Sequence, residues 1–185
     1  MKKRFLGGCC LKKEPWIKVS DIVFFVCVMV TMLLARHFIF TPIEVIGASM
    51  NPTLQDSERL FGLKVGEIKR LDVVSFAAPD VEDKDYIKRV IGLPGEEVMY
   101  EDDQLYIDGE KIDEPYLAEN KKALPEGVQL TEDFVYTVPE GTYFVMGDNR
   151  NNSKDSRHLG AIDEEEIFAN AKVTFWPLNK IGTVD

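Results

Sequence analysis

Residues 47–54 (Gly-Ala-Ser-Met-Asn-Pro-Thr-Leu) contain a serine whose surroundings suit a nucleophile. Ser49 lies between small residues and an X-Pro turn, and Pro52 restricts Asn51 to extended or turn conformations. The backbone of such a turn exposes its serine, as nucleophilic catalysis requires. An ordinary turn serine has the same sequence pattern, so the octapeptide alone allows both interpretations.

A nucleophilic serine needs a base that accepts its hydroxyl proton, and histidine is the usual one. The chain has two histidines. His37 lies at the end of an apolar run and His158 follows Arg157 in a charged stretch, and neither has an evident orienting group. No cluster of His, Cys and Asp has the spacing of a metal site. These observations leave a serine–lysine dyad, a variant of the same chemistry.

Residues 86–91 (Tyr-Ile-Lys-Arg-Val-Ile) make Lys88 the candidate base. Strand alternation places Lys88 between Tyr86 and Val90 on one face, and Arg89 between two isoleucines on the other. A catalytic lysine must be neutral, whereas the pKa of an unperturbed lysine is about 10.4. Burial in an apolar environment lowers a lysine pKa by roughly 3 to 5 pH units. A salt-bridged lysine with a purely structural role fits the same spacing.

Three ordered segments of the chain resemble the type I signal peptidase family. They are residues 47–54, residues 86–96 (Tyr-Ile-Lys-Arg-Val-Ile-Gly-Leu-Pro-Gly-Glu) and residues 147–157 (Gly-Asp-Asn-Arg-Asn-Asn-Ser-Lys-Asp-Ser-Arg). The resemblance extends from the apolar run to residue 177 and is strongest to the compact bacterial members. It implies a membrane-anchored serine endopeptidase that cleaves secretory preproteins after small residues (Ala-x-Ala). The implied reaction passes through an acyl-enzyme intermediate and uses no cofactor and no metal.

The resemblance also implies the catalytic groups. Ser49 corresponds to the nucleophile of the family, and Lys88 corresponds to its general base. The backbone N–H of Ser49 is expected to hold the oxyanion. Some family members add a serine hydroxyl two residues before the nucleophile, where this chain has Gly47, and this departure puts the second oxyanion donor in doubt.

Five further residues are implied by the resemblance as supports of the site. Ser153 is expected to donate or accept a hydrogen bond with the catalytic lysine. Two ion pairs are expected beside it, Asp148 with Arg89 and Asp155 with Arg157.

The apolar run predicts a membrane anchor. Residues 22–35 carry no charge, and the run continues to residue 40, close to the ~20 residues that span a bilayer core. A cleaved signal peptide would also have a basic start, but Ala35, Arg36 and His37 are too bulky and charged for its cleavage site. The basic residues before the run indicate a cytoplasmic N-terminus. We therefore expect a single-pass protein of the cell membrane, with a cytoplasmic tail at 1–20, an anchor at 21–40 and an extracytoplasmic peptidase domain at 41–185.

The charge and composition of the chain limit the kinds of partner that it can bind. The net charge is −10 although the first 18 residues are basic, so the remainder is strongly acidic. A nucleic-acid partner requires a basic face and is not expected. The expected partners are secretory preproteins and the phospholipid membrane, and the oligomeric state is left open. The three cysteines, Cys9, Cys10 and Cys27, all precede the predicted peptidase domain, which therefore has no disulfide framework.

The expected fold class is mostly β, an antiparallel catalytic domain with a small β insertion at about 101–135, preceded by one transmembrane helix. Short runs rich in Val, Ile, Phe and Tyr predict the strands. Asp102-Asp103 and Asp108-Gly109 predict hairpin turns, and residues 114–131 a loop. Asp163 predicts the N-cap of a short helix. The predicted strands are 44–46, 59–65, 72–76, 85–92, 97–101, 104–107, 134–138, 142–146 and 173–176.

Two other functions fit parts of this pattern. A self-cleaving regulator also uses a serine–lysine dyad, but it should carry a DNA-binding segment where this chain has an anchor. A non-catalytic relative that assembles surface structures should have lost the nucleophile or the base. Both Ser49 and Lys88 are present, which favours the peptidase.

Overall fold

The computed structural model describes residues 18–82 and 84–184, so the predicted basic tail, Cys9 and Cys10 lie largely outside the described residues. One helix, α1 (Val19–Phe38), precedes two antiparallel β-sheets, and the expected mostly β fold is confirmed. α1 has a mean hydropathy of 2.1, and its side chains are exposed along the helix apart from a half-buried Ala35. It is long and apolar enough to cross a membrane. The predicted anchor continued to Phe40, but Phe40 begins the first strand instead.

The larger sheet holds the strand that carries Lys88. Its order is β1-β2-β11-β3-β4-β9-β10, with β12 paired to β11. β4 lies between β3 and β9, and its second half is buried. Lys88 is opposite Val74 on β3, and Arg89 is opposite Met146 on β9. The strands are β1 (Phe40–Glu44), β2 (Arg59–Leu63), β3 (Val73–Ala77), β4 (Asp85–Gly92), β9 (Thr142–Met146), β10 (Ile162–Asp163), β11 (Ile167–Trp176) and β12 (Gly182–Thr183).

The smaller sheet follows β4 directly along the chain. Its order is β7-β6-β5-β8, and the expected turns at Asp102-Asp103 and Asp108-Gly109 join its hairpins. All four turn residues have positive φ, the conformation that two-residue hairpin turns require. The expected insertion, 101–135, falls within this sheet. The strands are β5 (Glu97–Glu101), β6 (Gln104–Ile107), β7 (Glu110–Ile112) and β8 (Phe134–Thr137).

The two sheets share one hydrophobic core where β4 passes into β5. Buried side chains of β4 and β9 pack there against those of β5 and β6. Gly92 is needed at this crossing because a Cβ there would lie 2.4 Å from Val98 Cγ2 and 2.8 Å from Val138 Cγ2. The approach of the two sheets therefore depends on a residue without a side chain.

Several predicted elements differ from the structure. The first strand covers Phe40–Glu44 instead of the predicted 44–46. The residues that pair with β2 therefore lie between α1 and Glu44. β11 begins at Ile167, six residues before the predicted start, since its first half pairs with β3. That pairing leaves only a 3₁₀ turn, Glu164–Glu166, where a helix was expected, and Asp163 forms no side-chain cap in the described structure. The predicted loop at 114–131 contains a 3₁₀ turn, Pro115–Leu117, followed by the short helix α2 (Ala118–Lys122).

Candidate active site

Ser49 lies in the turn that connects β1 to β2. The turn is closed by backbone hydrogen bonds from Asn51 N to Ala48 O and from Leu54 N to Met50 O. Met50 and Leu54 are buried in the core, whereas Ser49 stays half-buried. These two apolar side chains, which both follow the serine in the chain, anchor the turn and leave Ser49 at the surface of a cleft.

Lys88 reaches Ser49 from the buried part of β4. Its Nζ lies 2.9 Å from Ser49 Oγ and 2.9 Å from the carbonyl oxygen of Ile87. The Tyr86 ring centroid is 5.0 Å from the same Nζ. Only 3% of the lysine is exposed. The nucleophile and base candidates, 39 positions apart in the sequence, are therefore in direct contact.

Burial lowers the pKa of Lys88 from 10.5 to about 8. Asp155 and Asp148 raise it in part, since a nearby negative charge favours the ammonium form. Neither carboxylate pairs with Lys88, because Asp155 is bound by Arg157 and Asp148 by Arg89. With this pKa roughly one tenth of the amine is neutral at pH 7 and able to accept a proton, far more than for an unburied lysine.

A cleft of about 210 Å³ opens above the contact between Ser49 and Lys88. It is lined by residues 45–50 and 85–88, together with Asn152 and Lys154. An open cleft bordered by stretches of chain beside a nucleophile suits an extended peptide. Among the described residues, no group of three or more His, Cys, Asp or Glu side chains has the arrangement of a metal site.

Gly47 and Ser49 are the two positions expected to hold the oxyanion, and they differ in whether the backbone N–H is already hydrogen-bonded. Gly47 N donates a hydrogen bond to Asp56 Oδ1 at 2.7 Å, so this N–H is already engaged. Within 18–82 and 84–184, no backbone hydrogen bond of Ser49 N is found. Gly47 has a φ of 89°, which favours glycine, and a Cβ there would meet no atom within 4 Å. The Ser49 N–H is therefore the better placed donor of the two.

Asp148 and Arg89 form a buried ion pair beside Lys88. Arg89 Nε and Nη2 donate to the two carboxylate oxygens of Asp148 at 3.0 Å and 2.7 Å, and each side chain is 1% exposed. The guanidinium also donates to the carbonyl of Leu71 and lies over the ring of Tyr116, 4.0 Å from its centroid. Thr53 Oγ1 donates to Asp148 at 2.6 Å, which connects the pair to the Ser49 turn.

Asp155 and Arg157 form the second expected pair. Arg157 Nε and Nη2 donate to the two oxygens of Asp155, each at 2.9 Å. Burial acts to raise the pKa of Asp155, but the hydrogen bonds and charge of Arg157 and the N–H of Gly147 outweigh it and lower the pKa. Asp155 also caps α3 (Ser156–Leu159) through Arg157 N. The carboxylate thereby fixes the chain that follows Ser153.

Ser153 is half-buried near Ser49, but the expected hydrogen bond to Lys88 is absent from the structure. Its Oγ has no partner with full hydrogen-bond geometry among the described residues, although it lies close enough to Asp155 to help lower the pKa of that carboxyl. The hydroxyl packs against Gly147, where a Cβ would lie 2.2 Å from Ser153 Oγ and 2.5 Å from the carbonyl oxygen of Ser49. Two of the resembling segments, residues 47–54 and residues 147–157, thus meet at Gly147, while the role of Ser153 stays a prediction.

Other contacts of the site were not predicted from the sequence. Asn149 N and Nδ2 donate to the carbonyls of Ser49 and Ala48, each at 2.9 Å. Arg150 is buried and binds Glu114 Oε1 at 2.5 Å and Tyr100 OH at 2.6 Å, which connects the site to the smaller sheet. Asn149 and Arg150 lie inside one of the resembling segments, and this position is the sequence feature that could have identified them as site residues. Thr53 carries the same signal, since it lies in residues 47–54, whereas Asn120 lies outside all three segments and carries none.

Comparisons with known proteins find relatives of a single family. The family described as signal peptidase, peptidase S26, matches residues 16–176. Signal peptidase I of Bacillus licheniformis is 49% identical over 177 residues, which cover 92% of each chain. Signal peptidase IB of Staphylococcus aureus is 40% identical over 187 residues, covering 92% of this chain and 94% of its own. The crystal structure of a signal peptidase I from Enterococcus faecalis is similar with a TM-score of 0.55 and 39% identity, over 57% of this chain and 97% of that chain.

Proposed function

Because the chain belongs to the signal peptidase family, whose members are serine endopeptidases that cleave signal peptides, we propose that Ser49 and Lys88 form its catalytic dyad. The observation that carries the proposal is the 2.9 Å contact between Lys88 Nζ and Ser49 Oγ, two residues that both line an open cleft. A non-catalytic relative has no need of this contact. A self-cleaving regulator does, but the apolar helix α1 before the domain fits a membrane-anchored peptidase better.

The first half of the reaction begins with the neutral amine of Lys88. Nζ accepts the proton of Ser49 as Oγ attacks the carbonyl carbon of the scissile bond. The carbonyl oxygen becomes an oxyanion, which the Ser49 N–H is placed to stabilise. The protonated Lys88 then gives its proton to the leaving amine, the C–N bond breaks, and an acyl-enzyme on Ser49 remains.

The second half of the reaction returns the site to its starting state. Lys88, neutral again, accepts a proton from a water molecule that attacks the acyl carbon. The proton passes to Ser49 Oγ as the ester bond breaks, and the signal peptide leaves with a new carboxylate. No group outside the chain and water is required for this balance of protons.

The cleft supports the proposed preference for small residues before the cut. Its volume of about 210 Å³ is modest, and Ile46, Met50 and Ile87 are among its lining residues. Alanine side chains at the first and third positions would fit between these apolar groups without displacing them. We assign Ala-x-Ala as the motif that this cleft accepts.

The proposed location is the cell membrane, with α1 as the one candidate span within residues 18–82 and 84–184, and with residues 41–185 outside the cytoplasm. α1 supports the anchor by its length and hydropathy. The excess of Lys and Arg before it supports the orientation, because positive residues are retained on the cytoplasmic side. The substrates on this side would be secretory preproteins as their signal peptides emerge in the membrane.

The direct test is cleavage of a secretory preprotein by the purified full chain, with mass analysis of the products. We expect one cut after Ala-x-Ala, abolished by Ser49→Ala. Ser20→Ala provides the matched control, since Ser20 is an exposed serine at the start of α1. Cleavage that persists in Ser49→Ala, or that is lost equally in Ser20→Ala, would remove the assignment of the nucleophile.

A further inference from the structure

Asn120, on the short helix α2, bridges the turn that carries Ser49 and the loop that carries Asp148. Its Nδ2 donates to the backbone carbonyl of Asp148 at 2.8 Å and to that of Asn51 at 3.2 Å. Because both partners are acceptors, the carboxamide must present its nitrogen to them. One side chain thus holds together two segments that are distant in sequence.

Each of the two carbonyls belongs to a residue that is connected to one member of the dyad. Asn51 lies two residues after Ser49 in the same turn. Asp148 binds the guanidinium of Arg89, the neighbour of Lys88 on β4. The Asn120 bridge therefore runs from the loop of the nucleophile to the ion pair beside the base.

Residues 115–122 contact the back of the site at a second point. The Tyr116 ring covers the guanidinium of Arg89 at 4.0 Å. Leu117, the residue before α2, is fully buried and fixes this segment to the core. Asn120 is consequently carried by an anchored element and not by a free loop.

We propose that Asn120 is a positioning residue for the dyad. Its carboxamide sets the spacing between the Ser49 turn and the Asp148 loop, and through them the contact of Ser49 with Lys88. Asn120 acts through Asn51 and Asp148, because its own hydrogen bonds go to their carbonyls. The proposal rests on the proposed peptidase function. Displacement of a reacting group by about 1 Å is enough to slow a reaction by roughly 100-fold.

The kinetic test compares Asn120→Asp and Asn120→Leu with Glu119→Leu in the full chain, well below the melting temperature of each. Asp has the shape of Asn but no N–H donor, and Glu119 is exposed on the same helix. We expect kcat to fall about 10- to 100-fold in both Asn120 variants with KM within about twofold. Glu119→Leu should leave both constants within about twofold of the parent. Parental kcat in Asn120→Asp would overturn the proposal.

A second readout is independent of cleavage. In the Ser49→Cys variant, alkylation by iodoacetamide reports how the Lys88 amine acts on the thiol, because the thiolate is the reactive form. Mass spectrometry of the peptide that contains position 49 separates this thiol from the native cysteines. Adding Asn120→Leu should change the alkylation rate by more than about threefold and shift its pH profile, whereas adding Glu119→Leu should not.

The two readouts separate failure of the positioning role from failure of the peptidase function. Identical alkylation profiles with and without Asn120→Leu would contradict the positioning role, whatever the activity. A parent chain that cleaves no preprotein would contradict the peptidase function, and the alkylation profiles would still decide the role of Asn120.

Discussion

The amine of Lys88 is the residue-scale feature on which the proposed chemistry depends. A polar group at a site that is 3% exposed destabilises the fold, and the same burial makes the amine available as a base. Asp148 and Asp155 lie near enough to favour the ammonium form, but each is bound by an arginine. Because the arginines compensate the charges of the two carboxylates, burial has the larger effect on Lys88 and its pKa stays lowered.

The pH dependence of cleavage should report this amine. Lys88 has a pKa of about 8, and only its neutral form accepts the serine proton. We expect kcat/KM to rise with pH and to level off above about 8. A profile measured with a peptide that bears Ala-x-Ala would check this, and an activity that falls between neutral pH and about 9 would contradict it.

Lys88→Met separates a buried base from a structural cation. The pKa of Lys88 is about 8 in the folded chain against 10.5 for an unburied lysine, so the unfolded chain binds more protons between these values. The free energy of unfolding should therefore rise with pH across that window, and Lys88→Met should abolish the rise. At neutral pH the variant should be equally stable or more stable by roughly 0 to 2 kcal/mol, and inactive.

Melting curves of the full chain in detergent, recorded below and above that pH window, would measure both effects. A Lys88→Met variant that melts lower than the parent at neutral pH and still cleaves would show that Lys88 is a structural cation.

Asp148→Ala should be far more destabilising than the loss of a surface carboxylate. It leaves the guanidinium of Arg89 buried without Asp148, at a cost of about 3 to 5 kcal/mol. Glu44→Ala is the matched control, because the Arg59–Glu44 pair is 3.8 Å long and more than half exposed. Thermal unfolding of the two variants would check the contrast, and equal melting temperatures would show that the buried pair contributes little.

Site residues were predictable where a local motif marked them and not elsewhere. Ser49 and Lys88 could be named because each lies in a segment with its own pattern. Asn120 could not, because it lies outside these segments and its role depends on Asp148, 28 positions away. Thr53 lies in the same segment as Ser49, but its hydrogen bond to Asp148 spans 95 positions and could not be predicted from that segment. The missing hydrogen bond of Ser153 depends on side-chain orientation, which no spacing determines.

At the scale of elements, alternation and turn residues predicted the strands whose partners are close in the sequence. The hairpins of the smaller sheet follow from Asp102-Asp103 and Asp108-Gly109. The length of β11 was underestimated because this strand pairs with β2 and β3, which lie about a hundred residues earlier in the chain. Long-range pairing with β3 imposed extended structure from Ile167 onward, immediately after the first turn of the short helix predicted to start at Asp163.

Arg150 joins the larger sheet's loops to the smaller sheet, and Arg150→Met should loosen that connection. Its guanidinium donates to Glu114 and Tyr100, and the Glu114 side chain is 3% exposed. Without Arg150 this carboxylate is left buried without its cation, at a cost of about 3 to 5 kcal/mol. Hydrogen exchange should then accelerate in β5 and β8, but not in Arg59→Met, which removes an exposed arginine. Unchanged protection in β5 and β8 would contradict the connection.

At the scale of the whole molecule, the charge of the chain is divided by the anchor. Basic residues precede α1, and an acidic domain follows it. A tag after Asp185 should therefore be accessible to protease from outside intact cells, and a tag before Met1 should be protected. The opposite pattern of accessibility would reverse the proposed orientation.

Gly147 sets the shortest distance at which the Ser49 backbone and the Ser153 side chain can pack against each other. The Ser49 carbonyl and the Ser153 side chain approach Gly147 so closely that only a hydrogen atom fits there, and no amino acid has a smaller side chain. Its φ is not positive, so alanine is allowed by the backbone and excluded by the neighbours alone. A methyl group at this position acts as a wedge between Ser49 and Ser153, and no substitution there can draw them closer. Variation at Gly147 can thus only widen the site, so any tightening of it during evolution or engineering has to come from the surrounding residues.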